Sequence, residues 1–204
     1  LHFFNLELYK PSDMELWINK KYQERGIHSA TDLNIDNIGA LFNTYIAYSE
    51  GESKVIYDND NDCMIFINIH LDAYEQRLAF FHELCHPAMH VGDQRSLSPA
   101  FVSLQESQAA LFQLYAAMPA YMLEEFKPIQ HSSYYLKILS EAFKLPYSFV
   151  KQRIEQILGR INRERQDNNL RARSTPAKIK YAYTDTTNRI LEQLNKQIAN
   201  NKER

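Results

Sequence analysis

The stretch His82-Glu83-Leu84-Cys85-His86 holds two imidazoles four residues apart with a carboxylate beside the first. In a helix of about 3.6 residues per turn, side chains at that spacing stand one above the other, so His82 and His86 can face a single ion. Glu83 then falls next to that ion, where its carboxylate can take a proton from an attacking water. The chemistry predicted is hydrolysis of a peptide bond assisted by zinc. A tetrahedral catalytic zinc uses three protein ligands and keeps one position open, so another His, Asp or Glu must come from elsewhere in the chain.

Glu106, twenty residues after His86, is the expected third ligand; the competing reading is a solvated carboxylate on a helix surface. His90 is a rival, one further step of four along the same helix. Three rings stacked on one straight face would span roughly 12 Å, too far to meet at one ion, so His90 is read as a supporting or structural residue. Cys85, between the two histidines, invites a redox or ligand role, but a free cysteine is more often a small buried side chain, and Cys63 reads the same way. Tyr115, Tyr121, His70 and His131 could donate to an oxyanion, spacing does not rank them, and none is assigned a catalytic role. Asp93 is the one available guess for a carboxylate orienting an imidazole.

These side chains need elements to hold them. Asp72 followed by Glu75 has the spacing of a capping box, and residues 73 to about 91 carry Leu78, Phe81, Leu84, Cys85 and Met89 as a core-facing stripe. A helix should therefore run through the motif, distorted but not broken by Pro87. A second helix should start with Ser98 as cap and Pro99 in its first turn, carrying Phe101, Leu104, Leu111, Phe112, Tyr115 and Met118. Upstream, Ser12 or Asp13 caps a helix to about residue 25, ended by Gly26, and residues 31–43 read as another. Short strands are expected over 44–48, 54–57 and 63–68. The acidic turn at 58–62 lacks the Gly and Glu of a calcium loop and reads as a solvated hairpin tip. The strand at 63–68 leads into the metal helix, so Ile65, Phe66, Ile67 and Asn68 are expected to line one side of the cleft and hold an extended peptide by backbone pairing.

The run Ala79-Phe80-Phe81-His82-Glu83-Leu84-Cys85-His86 with His90, and then Glu106, Ala109, Phe112 and Met118-Pro119, resembles the ImmA/IrrE family of zinc metallopeptidases over about residues 12 to 125. Cys85, Pro87 and Ala110 depart from the residues common there without removing a ligand position. The resemblance implies a zincin-like fold in which His82, His86 and Glu106 hold Zn2+ and Glu83 is the catalytic carboxylate. It also implies a protein partner, a helix-turn-helix transcriptional repressor of a phage or mobile element that is cleaved to relieve repression. The same relatives admit an alternative, a non-cleaving regulatory module or the toxin-like partner of a repressor-like antitoxin.

Composition sets outer limits. With 45% apolar and 24% charged residues in 204, the chain suits one ordinary globular core with a small appendage. Its longest apolar runs, such as Met64-Ile65-Phe66-Ile67, fall far short of the ~20 residues a membrane span needs. No signal pattern opens the chain, and two cysteines suit a reducing setting, so a soluble cytoplasmic protein is expected. Charge is uneven: residues 1–150 hold ten Lys or Arg against nineteen Asp or Glu, while residues 151–204 hold thirteen against six. The basic end can meet nucleic acid or an acidic partner, or neutralise the acidic part.

Residues 131–164 read as two short helices joined by a tight turn, either a helix-turn-helix unit or a plain helical hairpin packed on the rest; base-contacting polar residues are lacking on the second helix, which favours the hairpin. Residues 165–178 read as a polar linker, and residues 185–200 as a helix with a narrow apolar stripe. The expected architecture is thus α+β: a zincin-like domain at 1–130 with a three-stranded sheet beside the metal helix, the hairpin at 131–164, and a linker with a C-terminal helix at 165–204.

Overall fold

The computed structural model describes residues 4–57, 63–90, 97–174 and 184–202. The chain divides into two compact units, Leu1–Arg165 and Gln166–Arg204. The first is an α+β unit with a three-stranded sheet, and among the described residues the buried apolar core belongs to it.

Helix α1 (Asp13–Gln23) starts where the Ser12 hydroxyl accepts from the Glu15 amide, and it buries Ile18 and Tyr22. Gly26, at φ 74°, then turns the chain, a left-handed conformation that costs glycine little. The expected single helix over 31–43 is instead a 3-10 turn, Ala30–Asp32, followed by helix α2 (Ile35–Leu41). Local capping divides it. The Asp32 carboxylate accepts from the amides of His28 and Ser29, and the Asn34 side chain accepts from the Asn37 amide to start α2 afresh.

Strands β1 (Thr44–Ser49), β2 (Lys54–Tyr57) and β3 (Cys63–Asn68) fall where alternation places them. Their order is β1-β3-β2, with β3 parallel to β1 and antiparallel to β2. This corrects one expectation. β3 is the central strand, so Ile65 and Phe66 are paired with β1 on one side and β2 on the other and cannot pair with a substrate, while Ile67 and Asn68 pair with β1, and the Asn68 amide donates to the Ser53 hydroxyl. The reason is apolar pattern: Cys63, Ile65 and Ile67 are buried on one face, which draws β3 to the middle and leaves β2, with its exposed Ile56 and Tyr57, at an edge. The acidic tip at 58–62 lies outside the described residues.

Helix α3 (Ala73–Met89) opens on the predicted capping box: the Asp72 carboxylate accepts from the amides of Tyr74 and Glu75, and the Glu75 side chain accepts from the Asp72 amide. The helix continues through Pro87, which lies in its last turn, where only the bond to the Glu83 carbonyl is lost. Its seam is Phe80, Phe81, Leu84 and Cys85, all fully buried, whereas Met89 is exposed and Leu78 lies at the margin. Helix α4 (Pro99–Ala117) answers with Gln105, Ala109, Phe112 and Ala116, one face at helical spacing. Of the apolar residues at helical spacing on this helix, Phe101, Leu104 and Leu111 are exposed. The Gln113 amide donates to the Leu78 carbonyl at 2.8 Å and clips the two helices together.

A 3-10 segment, Ala120–Ile129, leads to helices α5 (Tyr135–Phe143) and α6 (Tyr147–Ser174), separated by Lys144 in a left-handed conformation. Leu139, Phe143, Val150, Ile154, Ile157 and Ile161 are buried in the same core as α1 and α3, so the α5–α6 hairpin is packed into the first unit. α6 is no short helix. Residues 165–174, read as linker, continue it, because no Pro or Gly interrupts the polar run until Pro176. In the second unit, α7 (Asp185–Lys202) presents Ile190, Leu191, Leu194 and Ile198 as an exposed stripe. No helix among the described residues is long and apolar enough to cross a membrane.

Candidate metal centre

The seams of α3 and α4 decide what lies at their rims. Phe80 and Phe81 point inward, so the next turn of α3 sets His82 and Glu83 at the edge of the packed surface, with buried His86 one turn on. On α4, Gln105 is buried and its neighbour Glu106 stands at the same edge. Among the described residues, His82, His86 and Glu106 form the one group of His, Cys, Asp and Glu able to hold a metal ion, each with a donor atom within 4.8 Å of the other two. His82 Nε2 is 3.1 Å from Glu106 Oε2 and His86 Nε2 is 3.8 Å from Glu106 Oε1. Donors about 2.0–2.1 Å from a tetrahedral zinc are about 3.3 Å from one another, so these separations suit that ion with little movement.

The electrostatics suit it too. Burial, against the opposing pull of the Glu106 carboxylate, lowers the pKa of His86 to about 4 and keeps the ring in the neutral form that ligates metal. Glu83 is raised to about 7, first by burial and second by the Glu106 charge, while a hydrogen bond from the Val55 amide acts the other way. A cation beside Glu83 also favours its charged form. Two carboxylates at one rim, one beside the imidazole pair and one held by a backbone amide, can divide into a ligand and a proton carrier.

Val55 was not foreseen. It lies on β2, pairs with Ile65 of β3, and sends its amide to Glu83, which places the β2 edge at the site in the position foreseen for residues 65–68. No periodicity in the sequence signals this, because it depends on the order of the strands. Gln108 was missed likewise: its Oε1 is 3.1 Å from His90 Nε2, and His90 Nδ1 is 3.2 Å from His86 Nδ1. His90 is therefore a neighbour of the ligand pair, as the length argument required, while Asp93 lies outside the described residues. Cys85 is fully buried with its thiol pushed up to about 12, chiefly by burial, which makes it core and keeps it protonated. Tyr115 accepts hydrogen bonds from Gln156 and Arg160, and Tyr121 donates to the Ile27 carbonyl. Both hydroxyls are thus engaged in structural contacts.

Residues 43–155, more than half of the chain, match the model of the IrrE N-terminal-like peptidase domain. The chain belongs to the IrrE N-terminal-like peptidase family. This is a metallopeptidase family, and the matched span covers the sheet, α3, α4 and the start of α6. Within it, the chain is similar to the phage-like element PBSX protein XkdA of Bacillus subtilis (strain 168), 27% identical over 145 residues, 71% of this chain and 72% of that protein. It is also similar to the uncharacterized protein YqaB of the same organism, 23% identical over 150 residues, 72% of this chain and 84% of that one. Among solved structures, a Mycobacterium tuberculosis transcriptional regulator overlaps with a TM-score of 0.49 at 13% identity, over 72% of this chain and 48% of that chain, so the present chain spans about half of its length.

Proposed function

We propose that this family member is a zinc-dependent endopeptidase that cuts a helix-turn-helix transcriptional repressor at a defined site. The observation that carries the reading is the convergence of His82, His86 and Glu106 beside a Glu83 carboxylate held by the Val55 amide. His82, His86 and Glu106 would hold the ion, and Glu83 would be the catalytic carboxylate. When bound there, zinc supplies Lewis-acid polarisation of the scissile carbonyl and makes water acidic enough to lose a proton near neutral pH.

The rest is the work of the chain's own groups. Glu83 accepts the proton of the attacking water and returns it to the departing amide nitrogen, so the water's oxygen ends on the carbonyl carbon as the C–N bond breaks. The Val55 amide keeps the carboxylate aimed during both transfers. An extended substrate segment lies along the outer edge of β2, where main-chain pairing accepts any sequence and side-chain pockets choose among them. A repressor as substrate is supported by the relationship to a phage-element protein, since control of such elements rests on repression.

The test uses the zinc-loaded chain and the repressor encoded beside its gene, with fragment masses as readout. Two fragments from one cut are expected with the wild type, and Glu83→Gln should retain zinc yet lower the cleavage rate by at least about 100-fold, within the range for a lost general base. If the repressor binds and stays intact, or if Glu83→Gln acts like the wild type, the peptidase reading fails and a binding module takes its place.

A further inference from the structure

We infer that Gln108 and His90 form a relay that sets the tautomer of His86 and keeps its Nε2 lone pair open toward the metal. This rests on the metal centre proposed above and adds two residues to it. An imidazole that binds metal through Nε2 must be neutral and must carry its hydrogen on Nδ1. In isolation a neutral ring has no strong reason to choose. Here the choice is made from outside, by the group at the far end of two hydrogen bonds.

The series of hydrogen bonds starts at an oxygen. Gln108 Oε1 only accepts, and it lies 3.1 Å from His90 Nε2, so that nitrogen carries the hydrogen. A neutral His90 then has a bare Nδ1, which lies 3.2 Å from His86 Nδ1. Two nitrogens at that distance share one hydrogen, and since His90 has none to give, His86 Nδ1 donates. The lone pair of His86 is left on Nε2, the atom facing Glu106 Oε1 at 3.8 Å. With an acceptor's place taken by a donor at position 108, every hydrogen in the series shifts and the ligand position on His86 closes.

Backbone geometry makes the series possible. His90 is the C-cap of α3, extended at φ −108° and ψ 141°, with its amide donating to the His86 carbonyl. Leaving the helix there lets the His90 ring come back toward His86, with ring centroids 5.3 Å apart, instead of continuing up the helix face. Gln108 comes from α4, two residues beyond Glu106, so one helix brings both a ligand carboxylate and the oxygen that orients the ligand imidazole. This is a positioning role, since neither Gln108 nor His90 need touch the substrate.

Two measurements test it. In the metal-free wild type, long-range nitrogen-15 NMR correlations of the imidazoles should give His90 as the Nε2–H tautomer and His86 as the Nδ1–H tautomer. Zinc affinity, from competition with a chelator, should fall about 10- to 100-fold in Gln108→Leu, which removes the acceptor without adding charge, and should recover in Gln108→Glu, which restores it. A residue that merely packs would leave the tautomers of the Leu variant unchanged. The relay is overturned if His90 carries its hydrogen on Nδ1 in the wild type, or if wild type and Gln108→Leu bind zinc equally tightly. A wild type that takes up no zinc overturns the metal centre itself and the relay's purpose with it.

Discussion

At the scale of single residues, the site depends on where carboxylates sit relative to two rings. Glu106 is about half exposed, and its fitness to serve as a ligand comes from position, 3.1 Å from His82 and 3.8 Å from His86. Replacing it with Gln keeps the shape and removes the charge, so zinc affinity should fall by at least about tenfold while thermal stability of the metal-free chain changes little, because exposed ion pairs contribute about 0–1 kcal/mol. Chelator competition and a melting curve of the same sample check both halves. A loss of stability without loss of metal would mean that Glu106 is a structural partner of the histidines. The motif and Glu106 were legible from residue types and spacing. The amide of Val55 and the oxygen of Gln108 were not, since each acts from another element across a gap that no local pattern encodes.

At the scale of elements, the site is a junction of two helices and one strand, and its accuracy depends on how closely they approach. Gly39 on α2 shows how tight the packing is behind the sheet: a Cβ there would come within 2.8 Å of the Thr44 carbonyl oxygen at the start of β1. That oxygen is backbone and cannot swing away. Gly39→Ala should therefore destabilise the fold by about 1–3 kcal/mol, the usual cost of overpacking, in spite of alanine's better helix propensity. Urea denaturation would measure it, and an unchanged or raised midpoint would show that α2 can slide off the sheet. Element types were readable from the sequence because alternation and helical spacing are local. Strand order was not, and it put β3 in the centre of the sheet and β2 at an edge.

At the scale of the molecule, a buried charge network joins segments far apart in sequence. Arg153 of α6 is fully buried against the Glu15 carboxylate of α1, and it also donates to the Met118 carbonyl beyond α4 and to the Tyr9 hydroxyl. Around it, Arg160 donates to Tyr115 of α4 and to the Lys10 carbonyl, and Lys10 pairs with Glu164 at 2.6 Å. Removing one partner of a buried pair leaves the other charge stranded, so Arg153→Met should cost about 3–5 kcal/mol, and adding Glu15→Gln should recover part of that. Equilibrium unfolding of the single and double variants tests this coupling. If the second change deepens the loss by its own full amount, the two residues act independently and the network is not a unit.

The sequence by itself determined the chemistry on offer and the elements that carry it, because a ligand pair four apart, a capping box and an alternating apolar strand are all written within a few consecutive residues. Helix rise by itself also argued against three rings on one straight face meeting at one ion. Tertiary structure alone decided which strand borders the site and which side chains stand behind the rings to orient them. Those outcomes come from packing between segments 18 to 28 residues apart on different elements, where burial, not local spacing, selects the partner.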